Sequence, residues 1–165
     1  MSFDEIKELL LDKFGPGVVI GEELTGLQPA LLIEPSRIAE VCMELRNNEN
    51  TYFDFLACLT GVDYGVETNR FGVVYHLTSI PYKNQLTLKI SKEHIRDNED
   101  LPSFPSVSAV WRTAEWHERE AYDLIGIFFE NNPDLRRILL PDDWEGYPLR
   151  KDYVNPEYYK GIKVD

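Results

Sequence analysis

The stretch from Trp116 to Phe129, W-H-E-R-E-A-Y-D-L-I-G-I-F-F, carries the densest helical pattern in the chain. Apolar residues recur there at the three- and four-residue spacing of a helix face. They form two adjacent rows, which are Ala121, Leu124, Phe128 and Tyr122, Ile125, Phe129. So wide an apolar face predicts a helix that is covered on most sides. Charged residues on such a helix have to be paired or hydrogen-bonded, because burying a lone charge is costly.

The charged residues of this helix are Glu118, Arg119, Glu120 and Asp123, and their pattern has two interpretations. In the first, Arg119 pairs on the surface with Glu115 and Asp123, which are its neighbours at four-residue spacing. In the second, Glu118, Arg119 and Glu120 point in three directions and clamp the helix to the segments that follow it.

A catalytic role for these carboxylates is disfavoured by helix geometry. Glu118 and Glu120 lie roughly 200° apart around a helix of 3.6 residues per turn, so they do not form a carboxylate pair. His117 and Glu118 are adjacent in sequence and do not converge on one substrate.

A proline-interrupted ribbon follows, from Asn132 to Tyr153: N-P-D-L-R-R-I-L-L-P-D-D-W-E-G-Y-P-L-R-K-D-Y. Asn132 and Pro133 are typical of the N-cap and the first position of a helix. Pro141 disfavours helical geometry at the residue before it, so the sequence predicts one short helix between the two prolines. Beyond Pro141 the pattern predicts no regular element.

The ribbon also has two interpretations. It either wraps over its own domain or forms a docking arm, in which bulky side chains fill pockets of a partner and basic side chains meet its carboxylates or carbonyls. For docking or clamping the sequence singles out Glu118, Arg119, Glu120, Asp123, Arg136, Arg137, Trp144, Pro148, Arg150, Lys151 and Asp152.

Upstream of this region, helices and strands are mixed. Periodicity predicts helices over 3–14 and from Pro35 to about 47, and a helical stretch from Ser106 to about Phe129 with a break near 112–113. It predicts strands over 18–20, 30–33, 52–62, 71–79 and 85–91. The last two strands are expected to form a hairpin. We therefore expect an α+β fold with a mixed sheet flanked by helices, a core domain over 1–130 and an extended arm over 131–165.

Composition excludes several functions for the chain by itself. A formal net charge of −12 over 165 residues disfavours nucleic acid and anionic lipid as direct partners. No apolar run approaches the roughly 20 residues of a membrane span. Two cysteines, Cys42 and Cys58, are too few for an iron–sulfur cluster, and the three histidines lack metal-ligand spacing. We expect no cofactor, metal or catalytic site in this chain, and membrane contact only through the other members of a complex.

Three linked motifs resemble one known family. Glu118–Ile127 (E-R-E-A-Y-D-L-I-G-I), Pro133–Leu139 (P-D-L-R-R-I-L) and Glu145–Tyr153 (E-G-Y-P-L-R-K-D-Y) closely resemble the C subunit of proton-pumping NADH:quinone oxidoreductase, respiratory complex I. Weaker similarity extends upstream through 59–64 and 74–77. Family members usually carry His where this chain has Asn132 and Tyr147.

The resemblance implies a cofactor-free subunit of the hydrophilic peripheral arm, on the cytoplasmic side of the inner membrane. It implies packing on the large quinone-site subunit (the D-like subunit of the complex) and contact with other peripheral-arm subunits. The complex would use FMN, iron–sulfur clusters, NADH and quinone, and would couple electron transfer to proton translocation. Related chains serve membrane-bound hydrogenases and ferredoxin- or plastoquinone-linked complexes, so these remain an alternative. A free-standing carboxylate hydrolase and an adaptor for an unrelated partner are the other hypotheses.

Overall fold

The computed structural model describes residues 1–163. The helices are α1 (Phe3–Phe14), α2 (Ile38–Asn47, preceded by a 3-10 turn at Pro35–Arg37) and α3 (Ala114–Ile125). The strands are β1 (Val19–Glu23), β2 (Ala30–Ile33), β3 (Phe55–Asp63), β4 (Arg70–Ser79), β5 (Asn84–Glu93), β6 (Ser103–Pro105), β7 (Phe128–Glu130), β8 (Tyr158–Tyr159) and β9 (Ile162–Lys163). Among residues 1–163, no helix has the length and apolar character needed to cross a bilayer.

Five strands form the main sheet in the order β1-β2-β5-β4-β3. Strands β2 and β5 run parallel, whereas the other neighbours are antiparallel, so the sheet is mixed. The predicted hairpin is present, with β4 and β5 joined through a short turn that ends at Lys83 (φ 53°). These elements confirm the predicted α+β class.

Helices α1 and α2 supply the core on one face of the sheet. Leu10 of α1 and Val41 and Leu45 of α2 are fully buried in the same cluster as Leu31 of β2 and Tyr75 of β4. Helix α1 covers the predicted residues and begins at a capping box, in which Ser2 and Glu5 exchange hydrogen bonds.

Helix α3 packs along β3, which is an edge strand of the sheet. A side chain at Gly61 would place its Cβ 3.0–3.1 Å from the side chains of Ile127, Ala121 and Ile125, so the strand offers α3 a position without a side chain. The backbone N–H of Leu59 donates to Nδ1 of His117 at 3.0 Å. This bond satisfies a donor on the free edge of the sheet and fixes the position of α3.

The prediction of a helical stretch from Ser106 to Phe129 was wrong at both ends. Residues 106–113 are irregular, with turns at 108–110 and 112–113. Helix α3 ends at Ile125 because Gly126 adopts the left-handed conformation (φ 74°) and donates its N–H to the Tyr122 carbonyl. Phe128 and Phe129 then lie on β7, which pairs in parallel with β6. Because side chains alternate across a strand, Phe129 is buried and Phe128 is 44% exposed.

The short helix predicted after Pro133 is also absent. Asn132 caps its own turn, with Oδ1 accepting the N–H of Asp134 at 2.9 Å. The backbone N–H groups of residues 138–140, which would continue a helix, donate to a side chain of α3 instead. The predicted strand over 52–62 starts later, at Phe55, because Tyr52 turns with a positive φ of 40°.

Candidate functional site

Asp123 is the centre of the contacts between α3 and the ribbon. Its side chain is fully buried, and Oδ2 accepts three successive backbone N–H groups, from Ile138 (3.0 Å), Leu139 (2.7 Å) and Leu140 (2.9 Å). Oδ1 accepts from Nη1 of Arg137 at 2.7 Å. Burial by itself would raise the pKa of Asp123, but these donors outweigh it and hold the pKa below its ordinary value.

Arg137 extends this contact to the next turns of the ribbon. Its Nη1 also donates to the Asp123 carbonyl at 3.0 Å, and its Nη2 donates to the carbonyls of Trp144 and Gly146, each at 3.0 Å. One guanidinium therefore joins the C-terminal half of α3 to two separate points of the ribbon. Such planar, multiply bonded recognition is a property of arginine that lysine lacks.

Arg119 contacts the same ribbon from the middle of the helix. It is 6% exposed, and it donates to the carbonyl oxygens of Arg136 (3.2 Å) and Arg137 (3.0 Å), with Asp134 at 3.6 Å. Its hydrogen bonds thus go to the ribbon, which follows the helix in the chain. The hydrogen bonds of Arg119 go to these carbonyls and not to Glu115 or Asp123, its neighbours at four-residue spacing.

Glu118 is buried without a cation among its hydrogen-bond donors. Its carboxylate accepts from Oγ of Ser106 (2.7 Å), the N–H of Val107 (2.8 Å) and Nδ2 of Asn132 (2.7 Å). Burial raises the pKa of Glu118, and these three neutral donors only partly offset the effect. Asn132 thus ties the start of the ribbon to the helix.

Arg150 fixes the far end of the ribbon. It is 7% exposed and donates to the carbonyls of Ile125 (2.7 Å), Gly126 (3.3 Å) and Asp97 (3.0 Å) and to Oδ1 of Asn98 (3.2 Å). Its guanidinium lies between the rings of Phe71, at 5.2 Å, and Tyr147, at 4.6 Å. Because its hydrogen-bond partners are neutral oxygens, burial lowers the pKa of Arg150.

A second ion cluster holds the ribbon to the sheet, and sequence reasoning missed its centre. Asp63, at the end of β3, accepts from Arg96, from the backbone N–H of Gly65 (2.8 Å) and from that of Lys151 (2.8 Å). Burial by itself would raise the pKa of Asp63, but Arg96 and the two N–H groups lower it to about 2. Arg96 also pairs with Asp152 at 3.1 Å. Asp63 lies within the upstream stretch of weaker family resemblance, and that was its only sequence signal.

The predicted residues therefore divide into two groups. The structure brings one group together in buried or half-buried contacts between α3, the sheet and the ribbon: Glu118, Arg119, Asp123, Arg137 and Arg150. The others remain wholly or partly at the surface: Glu120, Arg136, Trp144, Pro148, Lys151 and Asp152. Arg136 pairs there with Asp134 at 2.8 Å, so its charge is already matched.

One shallow cleft lies between α3, the edge strand and the ribbon. Glu120 and Leu124 of α3, Thr60 of β3 and Leu149 of the ribbon line it, and we call it the α3–ribbon cleft. Leu149 is held in place by the donation of its N–H to the Leu124 carbonyl at 2.9 Å, and its side chain is 57% exposed. Within residues 1–163, no three His, Cys, Asp or Glu side chains cluster to hold a metal ion.

Comparison with known proteins identifies the family of this chain. Residues 31–159 match the family model described as "Respiratory-chain NADH dehydrogenase, 30 Kd subunit". The chain belongs to this family. The match includes α3 and the whole ribbon, so the residues that make the buried contacts described above lie within the matched region.

Individual relatives are named as the C subunit of NADH-quinone oxidoreductase. One from Chlorobium phaeobacteroides is 40% identical over 164 residues, which cover 99% of this chain and 93% of the relative. Another, from Chloroherpeton thalassium, is 54% identical over 123 residues, 73% of this chain. That match spans only 48% of the Chloroherpeton protein, which is therefore much longer than the aligned region.

A solved structure shares the fold. A chain in the structure titled "membrane-bound sulfane sulfur reductase (MBS), an archaeal respiratory membrane complex" aligns with a TM-score of 0.72, over 92% of this chain and 85% of that chain. The sequence identity is 23%, so this similarity concerns the fold alone.

Proposed function

We propose that this chain is a cofactor-free structural subunit of an NADH:quinone oxidoreductase and that it docks on the large quinone-site subunit. Its family and the names of its relatives support the complex. The observation that carries the structural role is the set of donors on Asp123: this fully buried carboxylate of the helix is used entirely to hold the ribbon. The buried charges of the helix, Glu118, Arg119 and Asp123, bond to the segments packed against it and do not converge on a pocket where a substrate would bind.

The clamped ribbon supplies a rigid surface for docking. Arg137 and Arg150 fix backbone carbonyls on both the helix and the ribbon, so the exposed side chains between them are held in one arrangement. A surface that is ordered before binding loses little conformational entropy when a partner arrives. This explains how an irregular, proline-interrupted segment can support a specific interface.

The α3–ribbon cleft is the surface that we assign to the large subunit. Leu149 is 57% exposed at this cleft, and Glu120 is an exposed carboxylate on its helix side. A large apolar side chain with a charge at its margin fits the apolar centre and polar rim of an interface. The partner would contribute an apolar side chain to the cleft and a basic side chain to Glu120.

Within the complex, this subunit would support electron transfer from NADH to quinone coupled to proton translocation. The FMN, the iron–sulfur clusters and the NADH and quinone sites would belong to other subunits, and attachment to the cytoplasmic side of the inner membrane would also come through them. An equivalent place in a membrane-bound hydrogenase or in a ferredoxin- or plastoquinone-linked complex is the alternative. Identities of 40% and 54% to subunits of NADH-quinone oxidoreductase favour the first assignment.

Co-purification with the large quinone-site subunit tests this proposal. We would co-express the two chains and compare Leu149→Asp with Leu27→Asp, which places the same change at a fully exposed residue of the β1–β2 loop. We expect Leu149→Asp to lower recovery of the pair about tenfold or more, the loss typical of an interface centre, and Leu27→Asp to leave it unchanged. Equal recovery with both variants would remove the cleft from the interface, and no association of the unmodified chain would refute the proposed function.

A further inference from the structure

The last described residues form a small hairpin. Strands β8 and β9 pair antiparallel, Tyr158 with Lys163 and Tyr159 with Ile162, around a turn in which Lys160 and Gly161 have positive φ angles of 48° and 80°. Two positive angles in succession are typical of a tight type I′ hairpin turn. A lone two-stranded hairpin is only marginally stable in water, so its position depends on the surface beneath it.

That surface includes Asp143 and Trp144. The Tyr159 hydroxyl donates to Oδ1 of Asp143 at 2.9 Å, and Lys160 Nζ lies 3.2 Å from Oδ2. The ring of Tyr159 lies 5.1 Å from that of Trp144, tilted by 46°. The side chains of Lys160 and Asp143 are 63% and 57% exposed, so water and salt weaken their attraction.

The hairpin is therefore attached mainly through side chains. No backbone hydrogen bond joins residues 154–162 to residues 1–153, whereas in the ribbon the N–H of Leu149 donates to the Leu124 carbonyl of α3. Residues 154–162 contact the ribbon through the hydrogen bond and the ion pair to Asp143 and one ring contact. An element held by side chains at the surface opens more easily than the clamped ribbon.

Trp144, by contrast, is held firmly beneath this hairpin. Its N–H donates to the Pro141 carbonyl at 3.0 Å, and its own carbonyl accepts from the half-buried Arg137 at 3.0 Å. Its indole Nε1 is shielded from solvent and has no acceptor among the described residues. Because the indole nitrogen is a donor only, the covered state leaves one buried polar group unsatisfied.

We propose that residues 156–163 are a displaceable cover over Asp143 and Trp144, which leaves when this chain docks on the large quinone-site subunit; this inference rests on the proposed function. The indole N–H of Trp144 then donates a hydrogen bond to a backbone carbonyl of the partner. Asp143 exchanges Lys160 for a lysine or arginine of the partner. Charge complementarity supports this occupant, because the cover itself offers a cation to Asp143 and the whole chain carries a net charge of −12.

A cover of this kind reduces the apparent affinity for the partner. Only the fraction of molecules with Trp144 uncovered is competent to bind, and the apparent dissociation constant rises by the inverse of that fraction. Loosening the hairpin should therefore lower the dissociation constant for the partner. If the hairpin instead contacts the partner directly, loosening it should raise that constant. The direction of the change separates the two arrangements.

The experiment measures dissociation constants for the purified large subunit with the unmodified chain and four altered forms. Lys160→Glu turns the attraction to Asp143 into repulsion, and a chain ending at Asn155 removes the cover. Trp144→Phe keeps a ring but removes the indole N–H. The matched control is Lys83→Glu, the same charge change in the exposed β4–β5 turn.

We expect Lys160→Glu to bind the large subunit about twofold to fivefold more tightly than the unmodified chain, which is the range set by one exposed ion pair. The shortened chain should bind at least as tightly as Lys160→Glu. Trp144→Phe should bind at least about tenfold more weakly, with Lys83→Glu unchanged. Hydrogen exchange at residues 158–162 should be faster in Lys160→Glu, and thermal unfolding of each free variant checks that the domain is intact.

Equal or weaker binding by Lys160→Glu and the shortened chain would overturn the cover, as would unchanged binding by Trp144→Phe. If the unmodified chain does not bind the large subunit at all, the proposed function fails first. If it binds, but Lys160→Glu and the shortened chain bind more weakly than the unmodified chain, only the cover is refuted, and the hairpin is part of the interface.

Discussion

Replacing Asp123 by Asn tests whether the buried ion network holds the ribbon. The carboxylate accepts three backbone N–H groups on Oδ2 and Arg137 on Oδ1. Asparagine has one accepting oxygen, so its amide –NH2 must face either Arg137 or the three N–H groups, donor against donor. Breaking a buried pair in this way costs about 3–5 kcal/mol, because the charge of Arg137 stays largely shielded from water without its counter-ion.

A loss of this size is a large part of the roughly 5–15 kcal/mol that stabilises a domain, but it need not unfold the chain. For a domain of this length, 1 kcal/mol corresponds to about 2–4 °C, so we expect Tm to fall by about 6–20 °C. Calorimetry or circular dichroism measures the shift. Limited proteolysis should show earlier cleavage within residues 131–153, because the ribbon loses its anchor before the sheet unfolds.

The pH dependence gives an independent check on Asp123. Its folded-state pKa is lowered, so its contribution is fully present above the unfolded value of 3.8 and is lost as pH falls through the folded pKa. Acidification below pH 3.8 should therefore lower the stability of Asp123→Asn less than that of the wild type, because the variant lacks this carboxylate.

The control is Glu120→Gln, which makes the same change of charge on an exposed residue of the same helix and should shift stability by no more than about 0.5 kcal/mol. If Asp123→Asn is no less stable than Glu120→Gln, the ribbon is not held by this network, and the structural role argued for Asp123 is refuted.

Two further predictions concern the same region. Glu118→Gln should be tolerated better than Asp123→Asn, within about 1–2 kcal/mol, because no cation loses its partner. Burial raises the pKa of Glu118, so wild-type stability should decline as pH rises from the unfolded value of 4.5 through the folded pKa. Chemical denaturation over that pH range should show a smaller decline for Glu118→Gln, which has no carboxylate to ionise. Gly126→Ala should lower the free energy of unfolding by about 1–3 kcal/mol or more, because φ is 74° and the new Cβ would lie 2.6 Å from the Tyr147 ring. Denaturant titration measures this, and a neutral effect would contradict the packing of Tyr147 against Gly126.

Much of the fold was predictable because it depends on local patterns. Periodicity identified α1, α2, the β4–β5 hairpin and the mixed α+β class, since side-chain spacing within one element determines which face is buried. The same reasoning extended α3 to Phe129. A row of apolar residues at helical spacing does not reveal that Gly126 turns left-handed and that Phe128 and Phe129 then alternate across a strand.

The motif from Trp116 to Phe129 shows where sequence ends and tertiary structure begins. By itself, the sequence determined that this helix is covered, that its charges need partners and that Glu118 and Glu120 do not form a pair. Only the tertiary structure decided which partners the charged residues have: Asp123 with residues 138–140, Arg150 with Asp97, and Asp63 with Arg96. These contacts join residues far apart in the chain, and charge pairing has no periodicity, so their choice depends on how the sheet, α3 and the ribbon pack together.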